Sequence, residues 1–335
     1  LTAYPHAPYR ATGGETTRAG GLPMVSLFLD RRMLDHVPAA GHPERPERLS
    51  AVLRHLERIG RLATGSTPTL DPADPTALGR VHEAGYLTEV AAFEAGGGGR
   101  IEADTWVRTG SVAAARLAAG AGIAAVDAVL GGTTRRAFCP IRPPGHHARP
   151  GGAMGFCLYG NVAVAAAHAL DAHALDRVLI VDFDVHHGNG TQEMFEADGR
   201  VGFLSIHRYP FYPGTGAADE TGTGRGLGLV KNIPLPYGVD REEYHDAFRT
   251  GLEALADRVR PQLVLISAGF DAHAEDPVGD LGLEVEDFDR LTRAVVAVAE
   301  AHAGGRVVGL MEGGYNPSIL AGCVAAHLDA LDDGL

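Results

Sequence analysis

The sequence predicts an α/β fold, a single domain in which a mostly parallel β-sheet carries helices on both faces. Three observations predict it. Six short, almost continuously apolar runs have the composition of strands buried on both faces. Helix-length segments separate most of these runs, the alternation that joins parallel strands by helical crossovers. The residues able to do chemistry gather where the apolar runs stop, and in open α/β sheets the ligand crevice lies beyond the carboxyl ends of the strands.

The elements follow in order along the chain. VSLFLD (25–30) opens as a strand, and Pro46–Gly60 reads as a helix with Pro at its first position, where the missing N–H costs nothing. Ala84–Ala95 and the Ala-rich Ser111–Leu130 are the next helices. RAFCPI (136–141) is a strand, Asn161–His173 a helix, and RVLIVDFDV (177–185) and VGFLSIH (201–207) are strands. Arg241–Val259 is helical, QLVLISAGF (262–270) a strand, Val285–His302 helical, RVVGLMEGG (306–314) a strand and Asn316–Leu331 the last helix. Gly96–Gly99 and the Gly-rich Gly214–Gly228 read as loops within the domain. Residues 1–24 are expected to form a polar N-terminal arm without the apolar segment of a secretory signal, and residues 25–335 the catalytic domain.

Composition excludes several classes. Of 335 residues, 45% are apolar and 21% charged, which is ordinary globular usage rather than disorder. The net charge of −13 disfavours nucleic acid as a partner, because such a surface repels phosphate. The charged residues Arg116 and Asp127 interrupt the most apolar helix, so no membrane span is expected. Three cysteines cannot all pair and lack metal-type spacing, which suits the cytoplasm. A homo-oligomer is compatible with all of this.

The strand ends carry a constellation. Asp182, Asp184 and His186 are spaced by two and point to one side of an extended chain. Asp184 and His186 with Asp271, which follows the 262–270 run, supply the three protein ligands of an open catalytic metal site. The Pro-Pro-Gly turn before His146 and His147 delivers two imidazoles, one as general base and the other to stabilise charge. Tyr315, after Gly313-Gly314, offers a hydroxyl to a developing oxyanion. Taken singly, an Asp-x-His is more often a surface or hydrogen-bonded pair, and a strand-end Asp more often a helix cap. Together they make the metal-dependent hydrolase the favoured reading.

These residues resemble the histone deacetylase superfamily, which includes acetylpolyamine amidohydrolases. The matching stretches are HPERPERL (42–49), Val81-His82 with Tyr86-Leu87, RPPGHH (142–147), Gly155-Phe156-Cys157, VDFDVHHGNGT (181–191), FYPGTG (211–216), SAGFD (267–271) and EGGYN (312–316). HPERPERL, Asn189 and EGGYN look like the class II branch. The resemblance implies an arginase/deacetylase-type fold and zinc-dependent hydrolysis of N-acetyl amides to acetate and amine, with Fe²⁺ also suited to the ligands. It implies Asp184, His186 and Asp271 as metal ligands, and His147 as the base that activates the attacking water. It makes His146 the electrostatic partner, Tyr315 the oxyanion donor, and Asp182 and Asn189 the supports of the two histidines. A structural K⁺ near main-chain oxygens of Asp182, Asp184, His186, Ser205 and Ile206 is also implied. Gly155, Phe156 and Tyr212 resemble the walls of a tunnel for an acetyl-lysine stem.

Substrate expectations follow from the same comparison. Asp276-Pro277-Val278 lacks the acid that polyamine deacetylases can carry after this Asp-Pro, which favours acetyl-lysine side chains over acetylpolyamines. Asp104 is a candidate rim carboxylate, with a solvent-facing or capping role preferred. His187 is expected to hydrogen-bond in the core and His273 to be solvated or to lie behind the ligands. Cys157 is read as packing rather than nucleophile, and Gly222–Gly228 is discounted as a phosphate loop. A two-manganese ureohydrolase and an inactive binder of acetylated ligands are the rival readings.

Overall fold

The computed structural model describes residues 25–63 and 69–332, so the arm expected over 1–24 lies outside the described residues. Strand β1 (Val25–Leu27) leads to helices α1 (Pro46–Arg58), α2 (Pro75–Leu78) and α3 (Ala84–Ala95), then to the antiparallel pair β2 (Gly99–Arg100) and β3 (Trp106–Val107). Helix α4 (Ser111–Leu130) precedes β4 (Arg136–Cys139), α5 (Asn161–Ala172), β5 (Val178–Asp182), α6 (Asn189–Phe195), β6 (Val201–Arg208) and β7 (Val230–Leu235). Helix α7 (Arg241–Val259), β8 (Leu263–Ala268), α8 (Val285–His302), β9 (Val307–Met311) and α9 (Pro317–Asp332) complete the domain.

Seven strands form one sheet in the order β1-β4-β9-β8-β5-β6-β7, and every pairing in it is parallel. Helices α1, α9, α8 and α7 pack side by side as one layer, and α3, α4, α5 and α6 as the other. With both faces covered, the inner strands are buried along their whole length, which is why their sequences are apolar without alternation. The single α/β domain expected from the sequence is therefore present.

Three differences have physical causes. Strand β7, VKNIPL, was not expected. It is the sheet's edge strand, with Lys231 exposed and Pro234 half-buried, so it lacks the unbroken apolar signature of the inner strands. The apolar runs outlast the strands: β5 stops at Asp182 rather than at residue 185, and β8 and β9 stop three or more residues before the site residues that follow them. Burial beside the sheet keeps those segments apolar after pairing ends. Helix α6 occupies a stretch too short and Gly-rich to show helical periodicity. Helix α4 has the length and hydropathy of a membrane span, but 61% of its most apolar window is buried inside this fold.

Candidate active site

The strands β4, β9, β8 and β5 are neighbours in the sheet, and the loops leaving their C-terminal ends bring the expected residues together. The segment after β5 is bent rather than extended. The Asp182 carboxylate accepts the Asp184 N–H at 3.1 Å, and that of Asp184 accepts the His186 N–H at 3.0 Å. Two consecutive side-chain turns, not strand alternation, therefore turn Asp184 and His186 inward. Asp271, from the loop after β8, accepts the Val185 N–H at 2.9 Å and so fastens the two loops.

Asp184, His186 and Asp271 are buried, and their ligand atoms all lie within 4.8 Å of one another. His186 Nδ1 is 3.0 Å from Asp184 Oδ1 and 3.1 Å from Asp271 Oδ2. Burial and the Asp184 charge push Asp271 up to about 7. Burial opposes a charge on His186, but its contacts with both carboxylates push it up to about 10. Two buried carboxylates and an imidazole converging on one point could hold a metal ion, and the one-nitrogen, two-oxygen donor set suits a divalent ion such as Zn²⁺ or Fe²⁺. Gly313 lets the loops close. Its amide donates to Asp184 Oδ2 at 2.8 Å, and a Cβ there would stand 2.0 Å from Asp271 Oδ2.

The two histidines leave the loop after β4. The amides of Gly145 and His146 donate to the Glu312 carboxylate at 2.6 and 3.1 Å, which sets the turn. His146 Nδ1–H donates to Asp182 at 3.0 Å, and His147 Nδ1–H donates to Asn189 Oδ1 at 2.7 Å. Asn189 is oriented by its own Nδ2, 3.4 Å from Met154 Sδ. The two rings are in opposite electrostatic settings. Burial lowers His147 well below the ordinary imidazole range, and the neighbouring His146 and His186 lower it further. Burial also disfavours a charge on His146, but the carboxylates of Asp184 and Asp182 outweigh it and raise His146 well above that range. His147 is thus the neutral ring, with Nε2 able to accept a proton, and lies 5.8 Å from the His186 ring.

Tyr315 is held by groups that had no expected role. Its amide donates to Asp276 at 2.6 Å. The Arg48 guanidinium lies 4.7 Å from its ring centroid and donates to the carbonyls of Gly314 and Glu312, each at 2.5 Å. Arg48 is buried with Arg142 around Glu44. Arg142 makes a two-pronged bond to that carboxylate at 2.9 and 2.7 Å, with Arg48 and His36 each at 3.3 Å. The available signal was the charge-dense HPERPERL stretch, of which Glu44 and Arg48 are buried while Arg45 and Glu47 are exposed. Burial raises the Tyr315 hydroxyl well above its usual range, so it is a donor.

The proposed tunnel residues surround this centre. Phe156 packs edge-on against Tyr315 at 5.6 Å, and Tyr212 packs edge-on against His147 at 5.2 Å. Gly155 and Phe156 both adopt left-handed backbone, φ 55° and 68°, and a Cβ on Gly155 would meet the His147 ring at 2.3 Å. Phe156 is not glycine, so its conformation carries a cost of order 1–2 kcal/mol, of the kind found at ligand sites. Asp104 is neither a helix cap nor remote. Its carboxylate accepts the Thr105 hydroxyl at 2.9 Å, and Thr105 in turn accepts the Phe156 N–H at 3.0 Å. The Tyr212 hydroxyl is raised by burial and then by the charge of the Asp104 carboxylate. Phe211, one residue away, stacks on His186 at 5.3 Å and 16°, with Arg208 on its ring at 4.1 Å.

The remaining candidates are absorbed by the fold. His187 is buried between Thr215 and Gln192, 2.8 and 3.0 Å away, and burial lowers it to about 4. His273 is buried rather than solvated. Its Nδ1 accepts the Glu275 N–H, and it takes no part in the ligand group. Cys157 is buried, which raises its thiol well above the usual range and disables it as a nucleophile. The Gly222–Gly228 stretch forms a turn around a short 3₁₀ segment, Gly224–Gly226, that precedes the edge strand β7.

A parallel sheet with paired histidines, a carboxylate–imidazole–carboxylate group and a phenol at its C-terminal edge defines an arginase/deacetylase-type amidohydrolase. The profile of the histone deacetylase domain matches residues 42–331, and the chain belongs to the histone deacetylase family. It is 41% identical over 297 residues to a histone deacetylase-like amidohydrolase of Pseudomonas aeruginosa, covering 88% of this chain and 77% of that protein. It is 40% identical to a probable deacetylase of Archaeoglobus fulgidus, covering 88% and 82%. It is also 39% identical to the human polyamine deacetylase HDAC10, covering 86% of this chain but 44% of that one. The crystal structure of the HDA15 HD domain superposes with a TM-score of 0.86 at 37% identity, covering 92% of this chain and 89% of the other.

Proposed function

We propose that the chain hydrolyses the N-acetyl amide of acetylated lysine side chains, releasing acetate and the free amine. The observation that carries this reading is the convergence of Asp184, His186 and Asp271 within 4.8 Å, beside a histidine whose Nδ1 is already committed to Asn189. Those three residues would hold Zn²⁺, or Fe²⁺, and when bound the ion supplies a Lewis acid for the acetyl carbonyl and acidifies a water. His147 takes a proton on Nε2 as the water attacks, and returns it to the leaving amine nitrogen. His146, charged and anchored on Asp182, stabilises the negative charge that develops. Tyr315 donates its hydroxyl to the carbonyl oxygen as that oxygen becomes an anion. Phe156 and Tyr212 flank the methylene stem, and the Gly155 carbonyl accepts the amide N–H. A structural K⁺ belongs to this reading, near the main-chain oxygens of Asp182, Asp184, His186, Ser205 and Ile206; the pairing of Asp182 with Ser205 brings β5 and β6 together there. Three buried free cysteines suit a reducing compartment such as the cytoplasm.

Acetylpolyamines and other acetylated small amines form the second substrate class, favoured by the similarity to the human polyamine deacetylase. Against it, Asp276 is the acid available next to Val278. Both its oxygens are engaged by the amides of Tyr315, Val278 and Gly279, so it offers little to a distal ammonium. A panel of acetyl-lysine peptides, acetylated polyamines, acetylated sugars and antibiotics decides. Acetate release should be fastest from the peptides, abolished by a chelator and restored by Zn²⁺. Preference for acetylpolyamines would reverse the assignment, and turnover unaffected by metal removal would end it.

A further inference from the structure

Among the described residues, one group of side chains outside the active site also brings three metal-ligating atoms within 4.8 Å of one another: Asp127, His168 and His173. We propose that it is a second divalent-cation site, separate from the catalytic centre, clamping α4 to the C-terminal end of α5. Asp127 comes from the last turns of α4, His168 from α5, and His173 is the residue that caps α5. Helix α5 runs back against the strands, so this group lies toward their N-terminal ends, at the opposite edge of the sheet from the catalytic centre.

The geometry is that of converging ligands. Nε2 of His168 and Nε2 of His173 each lie 2.7 Å from the same oxygen, Oδ1 of Asp127. The two rings are 5.5 Å apart and inclined at 76°, so their nitrogens meet while the rings diverge. In an unbroken helix, residues five apart lie about 140° around the axis and cannot share a ligand. The helix ends at Ala172, and His173 takes a non-helical φ of −102° and ψ of 3°, which returns its ring to the side of His168. The imidazoles are largely covered, 13% and 28% exposed, and thus restrained, while Asp127 at 51% leaves an approach from solvent.

Two imidazoles and one carboxylate form a borderline donor set that selects Zn²⁺, Ni²⁺, Co²⁺ or Cu²⁺ over Mg²⁺ and Ca²⁺. Three protein ligands leave a position for water. Without metal, both Nε2 atoms donate protons to Asp127. Arg80 favours that state at His168, because its guanidinium, 3.2 Å from Nδ1, can only donate. Ligation moves the imidazole proton to Nδ1, and Arg80 then has the Asp171 carboxylate, already 3.7 Å from its Nε, as its partner. Binding should therefore be weaker than at the buried catalytic ligands, in the micromolar range.

The test uses the whole chain, stripped by chelator and titrated with Zn²⁺ alone by calorimetry and equilibrium dialysis. The parent should bind one more ion per chain than the His168→Ala/His173→Ala double variant. Asp127→Asn should weaken that extra event about tenfold or more, the energy of a lost ligand. The double variant should keep the parent's acetate release, and should lose the additional rise in melting temperature at high Zn²⁺. Equal stoichiometry in parent and double variant overturns the proposal. So does an extra ion that disappears on substituting Asp184 but not on substituting His168 and His173, because that places it in a two-metal active site.

Discussion

Tyr315 owes its position to its main chain and ring: its amide is tied to Asp276 and its ring lies against Arg48. Removing only the hydroxyl should leave the loop in place. Tyr315→Phe is expected to lower kcat about 10²–10³-fold with little change in KM, the signature of a donor that acts on the developing anion. Steady-state kinetics on an acetyl-lysine peptide checks this. Glu44 makes the opposite prediction, large in stability. Burial alone would raise its carboxyl, but Arg142, His36 and Arg48 outweigh it and hold the group below the ordinary 4.5. A carboxylate depressed on folding stabilises the protein above that value, and the contribution drains away as pH falls toward the folded pKa. Glu44→Gln, which leaves Arg142 buried without its anion, should cost about 3–5 kcal/mol at pH 7. The difference from the parent should shrink below about pH 4 in denaturant titrations.

At the scale of elements, function rests on loops that leave β4, β5, β8 and β9 and whose backbone amides are tied to the carboxylates of Glu312, Asp182, Asp184 and Asp271. Gly313→Ala would put a Cβ 2.5 Å from Asp184 Oδ2 as well as 2.0 Å from Asp271 Oδ2. It should release the bound metal and abolish activity while the rest of the fold persists, which metal analysis and circular dichroism together would register. Gly85→Ala, on an open face of α3 with nothing within 4 Å of a new Cβ, should be neutral or stabilise by up to about 1 kcal/mol. The inner strands were legible as short, continuously apolar runs buried on both faces, and the long helices as the longer segments between them. Helices α3, α4, α7 and α8 begin and end where the sequence places them. Edge strand β7, the β2–β3 pair and α6 were not legible, since each is short or half-exposed and its pairing is decided by neighbours distant in sequence. The bend after β5 was hidden for a different reason: Asp-x-Asp-x-His fits an extended chain as well as it fits two side-chain turns.

At the scale of the whole molecule, the site gathers buried carboxylates that a cation would stabilise. With Asp184 and Asp271 both buried, chelation should lower the melting temperature as well as the activity, and added Zn²⁺ should restore both. Metal at a thousand times its dissociation constant contributes about 4 kcal/mol to stability. Loss of activity without any thermal shift would mean that the ion is not held by these residues. The sequence by itself determined the fold class and the order of the inner strands and helices along the chain, and it singled out the candidate site residues, because burial and chemistry both restrict residue type locally. Only the tertiary structure decided that Arg48, Arg142 and Glu44 hold the Tyr315 loop, and that Asp104 supports Phe156 through Thr105. These are contacts between segments up to 266 residues apart, and a chain's local pattern carries no record of which distant partner a buried charge will find.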